Sequence, residues 1–328
     1  MFDVKNVYQH QHKKIKWPYD AKTVRLYGSF DNWEKYIEME KDGDVFVCEV
    51  YLYPGKYEYK FLVDNEKWCY DMKKEVVNDN FGGKNNVIYV EDPNIVKLVH
   101  ISDTHGLFYN PDDMPPADIL IHSGDFCRKG TPEEYYEFNE WLGKLPYKYK
   151  IIVLGNHDIK YMIDVEKINP LVEAPKRLFN AIILSSEKIT IMGIKIYGIQ
   201  WQYFHDWNYD ILDEFKNDID KYSFDHIPTD INILVTHGPS YNNLDLVDFK
   251  INDTKINSGS KDMAHVISLV KPSLHLFGHI HESYGYKTSD YGTTFLNGSS
   301  VGRYPSELIN QPHVIIINSK TFEYTICN

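Results

Sequence analysis

The chain has little cysteine and no long apolar run. Its four cysteines, Cys48, Cys69, Cys127 and Cys327, have the spacing neither of a zinc finger nor of a disulfide scaffold. No apolar stretch approaches the roughly 18 residues that a membrane-spanning helix needs. The polar N-terminus also lacks the apolar segment of a signal peptide. We therefore expect a reduced, cytoplasmic protein.

Excess positive charge is absent as well. The chain has 35 Lys and Arg residues against 47 Asp and Glu residues, a formal net charge of −12. Nucleic acids and anionic membranes attract proteins through basic patches, so neither is expected as the main partner. Hydrophobic residues make up 43% of the 328 residues, which is enough for the cores of two domains.

What the sequence does contain is a series of five short clusters of metal-ligating residue types. Each follows an apolar run of four to six residues, which predicts a buried strand. Residues at the carboxyl ends of strands in an α/β sheet gather at one edge. One such cluster alone is more often a turn, but five together indicate one site. The clusters are Asp103-Thr104-His105, Gly124-Asp125, Gly155-Asn156-His157-Asp158, Thr236-His237-Gly238 and Gly278-His279-Ile280-His281.

The residue types of these clusters suit divalent metal ions. Two carboxylates, four imidazoles and one carboxamide form a mixed oxygen and nitrogen ligand set, which Mn, Fe and Zn accept. No thiolate is needed, which argues against a zinc finger. The Asp125 carboxylate could bridge two ions about 3.5–4 Å apart, and such a pair holds both the attacking and the leaving oxygen of an in-line displacement.

The order of the clusters resembles the metallophosphoesterase superfamily, the calcineurin-like phosphoesterases, from about Lys97 to the C-terminus. The sequences around them resemble the MPPED subgroup, whose members are phosphodiesterases. This resemblance implies an α/β domain built as a four-layer α/β/β/α sandwich. The segments that carry it are 101–105 (ISDTH), 120–126 (LIHSGDF), 138–147 (FNEWLGKLPY), 236–239 (THGP) and 276–285 (LFGHIHESYG).

The resemblance also implies a role for each clustered residue. Two divalent ions, Mn, Fe, Zn or Ni, would be present, and a hydroxide between them would attack the phosphate. His157 would not bind metal but would act as the general acid that protonates the leaving oxygen, and Asp158 could tune it. One ion would be held by Asp103, His105, Asp125 and His281, and the other by Asp125, Asn156, His237 and His279.

One cluster departs from the wider pattern. Many relatives have GDxxD or GDxxY where this chain has Gly124-Asp125-Phe126-Cys127-Arg128. Arg128 either contacts the substrate phosphate or is a surface arginine without a role. Cys127 is either prone to oxidation or an inert buried thiol. Both pairs of alternatives stay open.

The first ninety residues predict a separate domain. Short alternating strands at 23–27, 44–52, 56–63 and 86–90 are divided by turn signals, a pattern typical of a small antiparallel β-sandwich. The composition changes near 91–94. We therefore expect an N-terminal tail at 1–12, a β-domain at 13–93 and an α/β domain at 94–328.

This β-domain resembles the carbohydrate-binding modules of family 48, and among them the glycogen-binding domains of AMP-activated protein kinase beta subunits. The resemblance covers about Lys14 to Val90 and rests on 28–33 (GSFDNW), 52–68 and 82–87 (GGKNNV). It implies an immunoglobulin-like sandwich. It also implies glucan contacts by stacking from Trp33 and Trp68, by polar contact from Lys60 and Asn85, and by insertion of Phe81 into the glucan curve.

Two features leave the module's role open. The turn at 64–68 (DNEKW) is one residue longer than the family's usual turn, which puts the position of Trp68 in question. Modules of this kind also serve as spacers without binding sugar. Elsewhere, Thr131 to Leu142 predicts a capped helix whose apolar face packs on the sheet, and the aromatic segment 199–208 either shapes the substrate mouth or packs internally.

Three functions follow from these patterns. The first is a phosphodiesterase tethered to a glycogen-like or starch-like glucan by the N-terminal module. The second is a glucan phosphatase that acts on phosphorylated glycogen or starch. The third is a noncatalytic glucan-binding scaffold, which the complete set of ligand residues disfavours.

Overall fold

The computed structural model describes residues 11–200, 224–249 and 254–327. These residues form two compact units, divided between Pro93 and Asn94. Residues 1–10 of the expected tail and 201–208 of the aromatic segment lie outside the described residues. None of the helices described here is long and apolar enough to span a membrane.

The first unit is built from β-strands. One antiparallel sheet has the order β1-β5-β4, and the other has the order β3-β2-β6-β9-β8, with β7 pairing β6. One apolar core joins them, with Ile15 and Phe46 from the first sheet and Leu26 and Phe61 from the second. The immunoglobulin-like arrangement of the sheets stays a prediction. The strands are β1 (Gln11–Trp17), β2 (Val24–Gly28), β3 (Ile37–Glu38), β4 (Glu40–Asp42), β5 (Val45–Leu52), β6 (Gly55–Val63), β7 (Lys67–Cys69), β8 (Val76–Asn78) and β9 (Lys84–Val90).

The first strand begins within the segment expected to be a polar tail. Gln11 and His12 pair with Leu52 and Tyr51 of β5. The pattern concealed this strand because its outward positions are polar or charged and only Ile15 and Trp17 are buried. The four strands predicted for this unit correspond to β2, β5, β6 and β9.

The second unit, from Asn94 onward, contains further strands and the helices. Asn232 lies just before one of the central strands and accepts a hydrogen bond from the Lys195 backbone. The strands are β10 (Ile95–Ile101), β11 (Ile119–His122), β12 (Tyr149–Ile152), β13 (Ile182–Ile183), β14 (Glu187–Ile191), β15 (Ile194–Ile199), β16 (Ile233–Thr236), β17 (Leu246–Phe249), β18 (Thr254–Asn257), β19 (Leu274–Phe277), β20 (Gly285–Thr288), β21 (Thr294–Asn297), β22 (His313–Asn318) and β23 (Tyr324–Cys327). The helices are α1 (Pro132–Lys144), α2 (Asn156–Tyr161), α3 (Pro170–Arg177) and α4 (Lys261–Val270).

Two six-stranded sheets organise this unit. The first has the order β13-β12-β11-β10-β22-β23, and the second has the order β14-β15-β16-β19-β21-β20. Strands β10 to β13 run parallel to one another, as do β15, β16, β19 and β21. The strands expected before the clusters are therefore parallel neighbours, and their carboxyl ends lie at the same edge of each sheet.

The apolar cores show how the layers stack. Residues such as Leu98 and Ile121 of the first sheet pack against Ile196 and Leu276 of the second. The outer face of the first sheet packs against α1 and α3, and that of the second packs against α4. This order of helix, sheet, sheet and helix agrees with the four layers that the resemblance implied.

Helix α1 follows the sequence prediction closely. The Thr131 side chain accepts from the Glu134 backbone, and the Glu134 carboxylate accepts from the Thr131 backbone, which forms a capping box. Four apolar residues are buried on the face toward the sheet, namely Tyr135, Phe138, Trp141 and Leu142. The helix begins one residue after its cap, at Pro132.

Candidate metal centre

The five clusters follow the carboxyl ends of five parallel strands. Asp103, Asp125 and Asn156 come after β10, β11 and β12 of the first sheet, while His237 and His279 come after β16 and β19 of the second. The segment after β10 is joined to the segment after β21 by a bridge between Ser102 and Ser299. Side chains from both sheets therefore meet at one place.

The first group of candidate ligands contains Asp103, His105 and His281. One ligand atom from each lies within 4.8 Å of the others. The Nε2 atoms of His105 and His281 are 3.2 Å apart, and Asp103 Oδ1 is 3.4 Å from His281 Nε2. Asp103 and His105 are buried, so this group lies away from bulk water.

The second group contains Asp125, His237 and His279, whose ligand atoms again lie within 4.8 Å of one another. Asn156 joins it, because its Oδ1 is 3.1 Å from His237 Nε2. The rings of His237 and His279 are 5.1 Å apart between centroids. The structure thus brings together all seven residues that the sequence nominated as ligands.

Asp125 lies between the two groups. Its Oδ2 is 3.3 Å from His237 Nε2 and 3.9 Å from His105 Nε2. Its Oδ1 accepts a hydrogen bond of 2.8 Å from the His157 backbone N–H. Asp125 therefore turns Oδ2 toward both groups while Oδ1 binds the backbone, an orientation that suits a bridging ligand.

Backbone carbonyls orient two of the imidazoles. His237 Nδ1 is 2.8 Å from the Ser123 carbonyl oxygen, and His281 Nδ1 is 3.0 Å from the Gly302 carbonyl oxygen. A carbonyl only accepts, so each Nδ1 carries the proton and donates. Each Nε2 is then the nitrogen that faces the site, which is the arrangement common to metal-binding histidines.

Four candidate ligands have left-handed backbone conformations, namely Asp103, His105, Asp125 and His279. Such conformations are unfavourable for residues with a Cβ and persist only where surrounding contacts impose them. The contacts are present here. Asp103 accepts from the His279 backbone at 2.9 Å and from Ser299 Oγ at 2.7 Å.

Asp158 has a structural role that the sequence did not reveal. Its buried carboxylate accepts backbone hydrogen bonds from Asp125 at 2.8 Å, Cys127 at 2.9 Å and Gly155 at 2.8 Å. Asp158 was expected to tune His157, and in the structure its oxygens bind these three N–H groups.

Glycines allow the loops to approach one another. A Cβ on Gly155 would lie 2.2 Å from Asp125 Oδ1, and one on Gly278 would lie 2.1 Å from Asp103 Oδ2. Both distances are far below van der Waals contact. Glycine is therefore required beside each of the two carboxylates.

His157 lies at the edge of the site. Its Nδ1 is 2.6 Å from the Arg128 carbonyl oxygen, and its ring is perpendicular to that of His105 at a centroid distance of 4.8 Å. It is more exposed than the buried ligands Asp125 and His237. One of its ring nitrogens also lies within 4.8 Å of ligand atoms of His105 and Asp125, closer to the candidate ligands than the sequence indicated.

Burial and charge act in opposite directions on the imidazole pKa values. Burial disfavours protonation of His237, but the nearby Asp125 carboxylate outweighs it and raises the pKa of His237 to about 9. At His279 burial prevails and lowers the pKa to about 4. Burial opposes ionisation of Asp103, yet the hydrogen bond from His281 and the surrounding imidazoles hold its pKa well below the ordinary value.

The donor set fits two divalent ions. Lone pairs and carboxylate oxygens converge from several buried side chains, and the Nε2 atoms of His105 and His281 approach to 3.2 Å. Positive charge, from protons or from metal ions, stabilises such a convergence. Carboxylate, amide and imidazole donors without thiolate suit Mn, Fe, Zn or Ni rather than a soft metal.

Three further residues lie close to the candidate ligands, namely His122, Cys127 and Ser299. His122, expected beside the site, contacts Thr104 Oγ1 at 3.1 Å and the Gly124 backbone at 3.2 Å. Cys127 is fully buried, and burial raises the pKa of its thiol well above the ordinary value, which supports the inert alternative. Ser299 was missed, although it follows β21 within the polar run 297–300 (NGSS).

The N-terminal unit presents exposed aromatic side chains. Trp33 is 36% exposed, Trp68 is 51% exposed and Phe81 is 96% exposed. The longer turn leaves Trp68 on the surface, with its ring 5.0 Å from that of Tyr27, a neighbour that the sequence did not nominate.

The two polar residues nominated for sugar contact already have protein partners. Lys60 Nζ donates to Asp79 Oδ2 at 2.9 Å, and Asn85 Nδ2 donates to Glu58 Oε2 at 3.0 Å. Asp79 also accepts from the backbone of Phe81 at 2.9 Å. These hydrogen bonds hold the loop that presents Phe81.

Two family models match the chain. The calcineurin-like phosphoesterase model matches residues 96–283, which is more than half of the chain. The chain belongs to this family. The second family model, the glycogen recognition site of AMP-activated protein kinase, matches residues 11–96 of this chain. The family and the module that the sequence resembled are both confirmed.

Individual relatives cover the same two parts. Metallophosphoesterase domain-containing protein 1 of Homo sapiens is 37% identical over 242 residues, which are 68% of this phosphoesterase and 71% of that protein. Subunit beta-2 of 5'-AMP-activated protein kinase of Mus musculus is 36% identical over 88 residues, 27% of this chain and 32% of its own. Protein PTST homolog 2 of Arabidopsis thaliana is 42% identical over 77 residues, 23% of this chain and 14% of its own.

Proposed function

We propose that this phosphoesterase hydrolyses phosphate diesters, with two divalent ions, Mn, Fe, Zn or Ni, held by the seven candidate ligands. When bound, such ions act as Lewis acids and supply a nucleophile from water at neutral pH. Asp103, His105, Asp125 and His281 would hold one ion, and Asp125, Asn156, His237 and His279 would hold the other.

The position of Asp125 carries this proposal. Its Oδ2 faces His237 at 3.3 Å and His105 at 3.9 Å, so one carboxylate oxygen is shared by two ligand groups. A single-ion site needs no such shared oxygen. Two ions on either side of it match the arrangement used for in-line displacement at phosphorus.

His157 is proposed as the general acid. Its Nδ1 donates to the Arg128 carbonyl oxygen at 2.6 Å, so Nε2 is the nitrogen that gains and releases the catalytic proton. A protonated imidazole can donate its proton to a departing alkoxide. A poor leaving group should therefore depend on His157 more than an aryl oxide does.

The test compares Asp125→Asn with Asp164→Asn, an exposed aspartate of the second unit. With an aryl phosphodiester and added Mn, Asp125→Asn should lose at least about 100-fold in kcat/KM, because the shared ligand loses its charge. Asp164→Asn should match the parent, and a chelator should abolish the parent's activity. Turnover that survives chelation or Asp125→Asn would refute the proposal.

We further propose that the N-terminal module tethers the enzyme to a glycogen-like or starch-like glucan. The exposed rings of Trp33 and Trp68 support this, since sugar rings stack on flat aromatic faces. Co-sedimentation with glycogen should fall in Trp33→Ala/Trp68→Ala. It should persist in Tyr51→Ala, which removes an exposed aromatic residue of β5 in the other sheet of the same unit.

A second candidate function is a glucan phosphatase, favoured by the same exposed tryptophans. Phosphate release from phosphorylated glycogen should then fall in Trp33→Ala/Trp68→Ala, while turnover of a small aryl ester stays level. Equal loss on both substrates would exclude this candidate. Metal-dependent turnover of any ester by the purified protein would exclude a noncatalytic scaffold.

A further inference from the structure

Arg128 differs from the other arginines of the chain. The sequence contains four arginines, at positions 25, 128, 177 and 303. Arg25 pairs with Glu38 at 2.9 Å, Arg177 pairs with Glu166 at 3.0 Å, and Arg303 lies 3.7 Å from Glu282. Within residues 11–200, 224–249 and 254–327, no carboxylate pairs with the Arg128 guanidinium. Arg128 also contacts the candidate site directly, through His105 and His157.

Hydrogen bonds fix Arg128 between two imidazoles. Its Nε donates to the His105 carbonyl oxygen at 2.7 Å, and its own carbonyl oxygen accepts from His157 Nδ1 at 2.6 Å. Its backbone N–H donates to Glu134 Oε1 at 3.1 Å. The residue is therefore anchored to a proposed metal ligand by its side chain and to the proposed general acid by its backbone.

The side chain of Arg128 passes beside Gly106. A Cβ placed on Gly106 would lie 3.8 Å from both Cγ and Nε of Arg128, so the stem lies along the bare glycine backbone. With Nε engaged by His105, the two Nη groups form the remaining edge of the guanidinium. That edge presents one N–H from each Nη, two parallel donors in one plane that match two oxygens of a phosphate.

We propose that Arg128 binds the non-bridging oxygens of the substrate phosphate beside His157. The inference rests on the proposed phosphoesterase activity and assigns one residue of its substrate site. Because no carboxylate of the described residues pairs with it, the Arg128 guanidinium keeps its charge available to an anion, whereas the three paired arginines do not. The chain's net charge of −12 makes such a local cation more valuable to an approaching phosphate.

The side chain and the backbone of Arg128 have separable tasks. Substitution removes the guanidinium but keeps the carbonyl oxygen that orients His157. Loss of phosphate binding with an unchanged pH profile of kcat therefore indicates a substrate contact. A shifted pH profile together with a lower Tm indicates a structural role instead.

The experiment uses the full-length protein loaded with Mn and compares Arg128→Gln, Arg128→Lys and Lys148→Gln. Lys148 precedes the amino end of β12, at the opposite end of that strand from Asn156, and its substitution matches the loss of one positive charge. The readouts are kcat and KM for bis(p-nitrophenyl) phosphate, the inhibition constant of inorganic phosphate, the pH profile of kcat and the Tm of the metal-free protein.

Arg128→Gln should raise KM and the inhibition constant of phosphate about 10- to 100-fold, which is the loss expected for charge-assisted hydrogen bonds. Arg128→Lys should recover part of this loss, because it restores the charge but not the fork. Lys148→Gln should match the parent. The Tm of all three variants should stay within about 2 °C of the parent.

Parent-like KM and phosphate inhibition in Arg128→Gln would overturn the inference. So would a shifted pH profile of kcat accompanied by a lower Tm. If the parent protein shows no metal-dependent turnover, the proposed function fails, and calorimetric titration of the Mn-loaded protein with inorganic phosphate still decides the role of Arg128. Phosphate binding that is equal in parent and Arg128→Gln would reject it.

Discussion

Replacing Asp158 with asparagine should destabilise the second unit strongly, although Asp158 is not a proposed ligand. Its carboxylate accepts three backbone N–H bonds, from Asp125, Cys127 and Gly155, and it is completely buried. An asparagine turns one oxygen into an NH2 group that faces N–H donors. The variant then leaves one or two of these donors without an acceptor.

The magnitude follows from the number of donors that lose their acceptor. Each buried unsatisfied group costs about 1–3 kcal/mol, so Asp158→Asn should lose roughly 2–4 kcal/mol of unfolding free energy. At about 2–4 °C per kcal/mol for a unit of this size, the Tm should fall by roughly 5–15 °C. Two of the three donors, Asp125 and Gly155, lie in the loops that carry the candidate ligands Asp125 and Asn156, so metal affinity should fall together with stability.

Differential scanning calorimetry of metal-free protein measures this change in the transition of the second unit. Asp164→Asn provides the matched control, because that aspartate is exposed, and its Tm should stay within about 2 °C of the parent. A Tm for Asp158→Asn within the range of the control would show that the three hydrogen bonds do not stabilise the fold as argued.

Three further predictions concern the same site. Ser299→Ala removes the 2.7 Å hydrogen bond to Asp103 and should weaken metal binding about 10- to 100-fold in equilibrium titration, whereas Ser306→Ala, an exposed serine, should not. Gly155→Ala places a Cβ 2.2 Å from Asp125 Oδ1 and should cost about 1–3 kcal/mol in denaturant unfolding, and a parent-like midpoint would contradict the close contact. Because Asp125 raises the pKa of His237 from 6.5 to about 9, the protonated imidazole stabilises the metal-free protein fully below pH 6.5, and this contribution disappears as pH rises through 9. The Tm difference between the parent and His237→Gln should therefore shrink over that range, while apparent metal affinity rises with pH as the proton is displaced; a difference independent of pH would contradict the Asp125–His237 interaction.

Local patterns predicted the strands that carry the site. Mostly apolar runs identified β10, β11 and β19, because nearly all residues of these strands are buried. The start of α1 was predicted equally well, because Thr131 and Glu134 of its capping box lie within one helical turn. By contrast, β1 was not predicted as a strand, because polar and charged residues occupy its outward positions.

Contacts between distant residues were not predictable from local patterns. Ser299 donates a hydrogen bond to Asp103, 196 positions earlier in the sequence. No local sequence pattern around either residue predicts that bond. Asp158 looked like a neighbour of His157, but the helical backbone of α2 directs its carboxylate toward Asp125 and Cys127. The same limit applied to Arg128, whose two contacts with His105 and His157 exist only after β10, β11 and β12 are side by side.

The loops that contain Asp103, Asp125 and His279 have left-handed backbone conformations at these ligands, and this affects how metal binding is coupled to folding. Hydrogen bonds from Ser299 to Asp103 and from the Asp125 backbone to Asp158 hold these loops in place. In a zinc finger, metal binding drives the folding of the chain, so the measured affinity includes the free energy of folding. Here the measured affinity for each ion should instead report the ligand set itself, and exchange of one metal for another should leave the fold and its melting cooperativity unchanged.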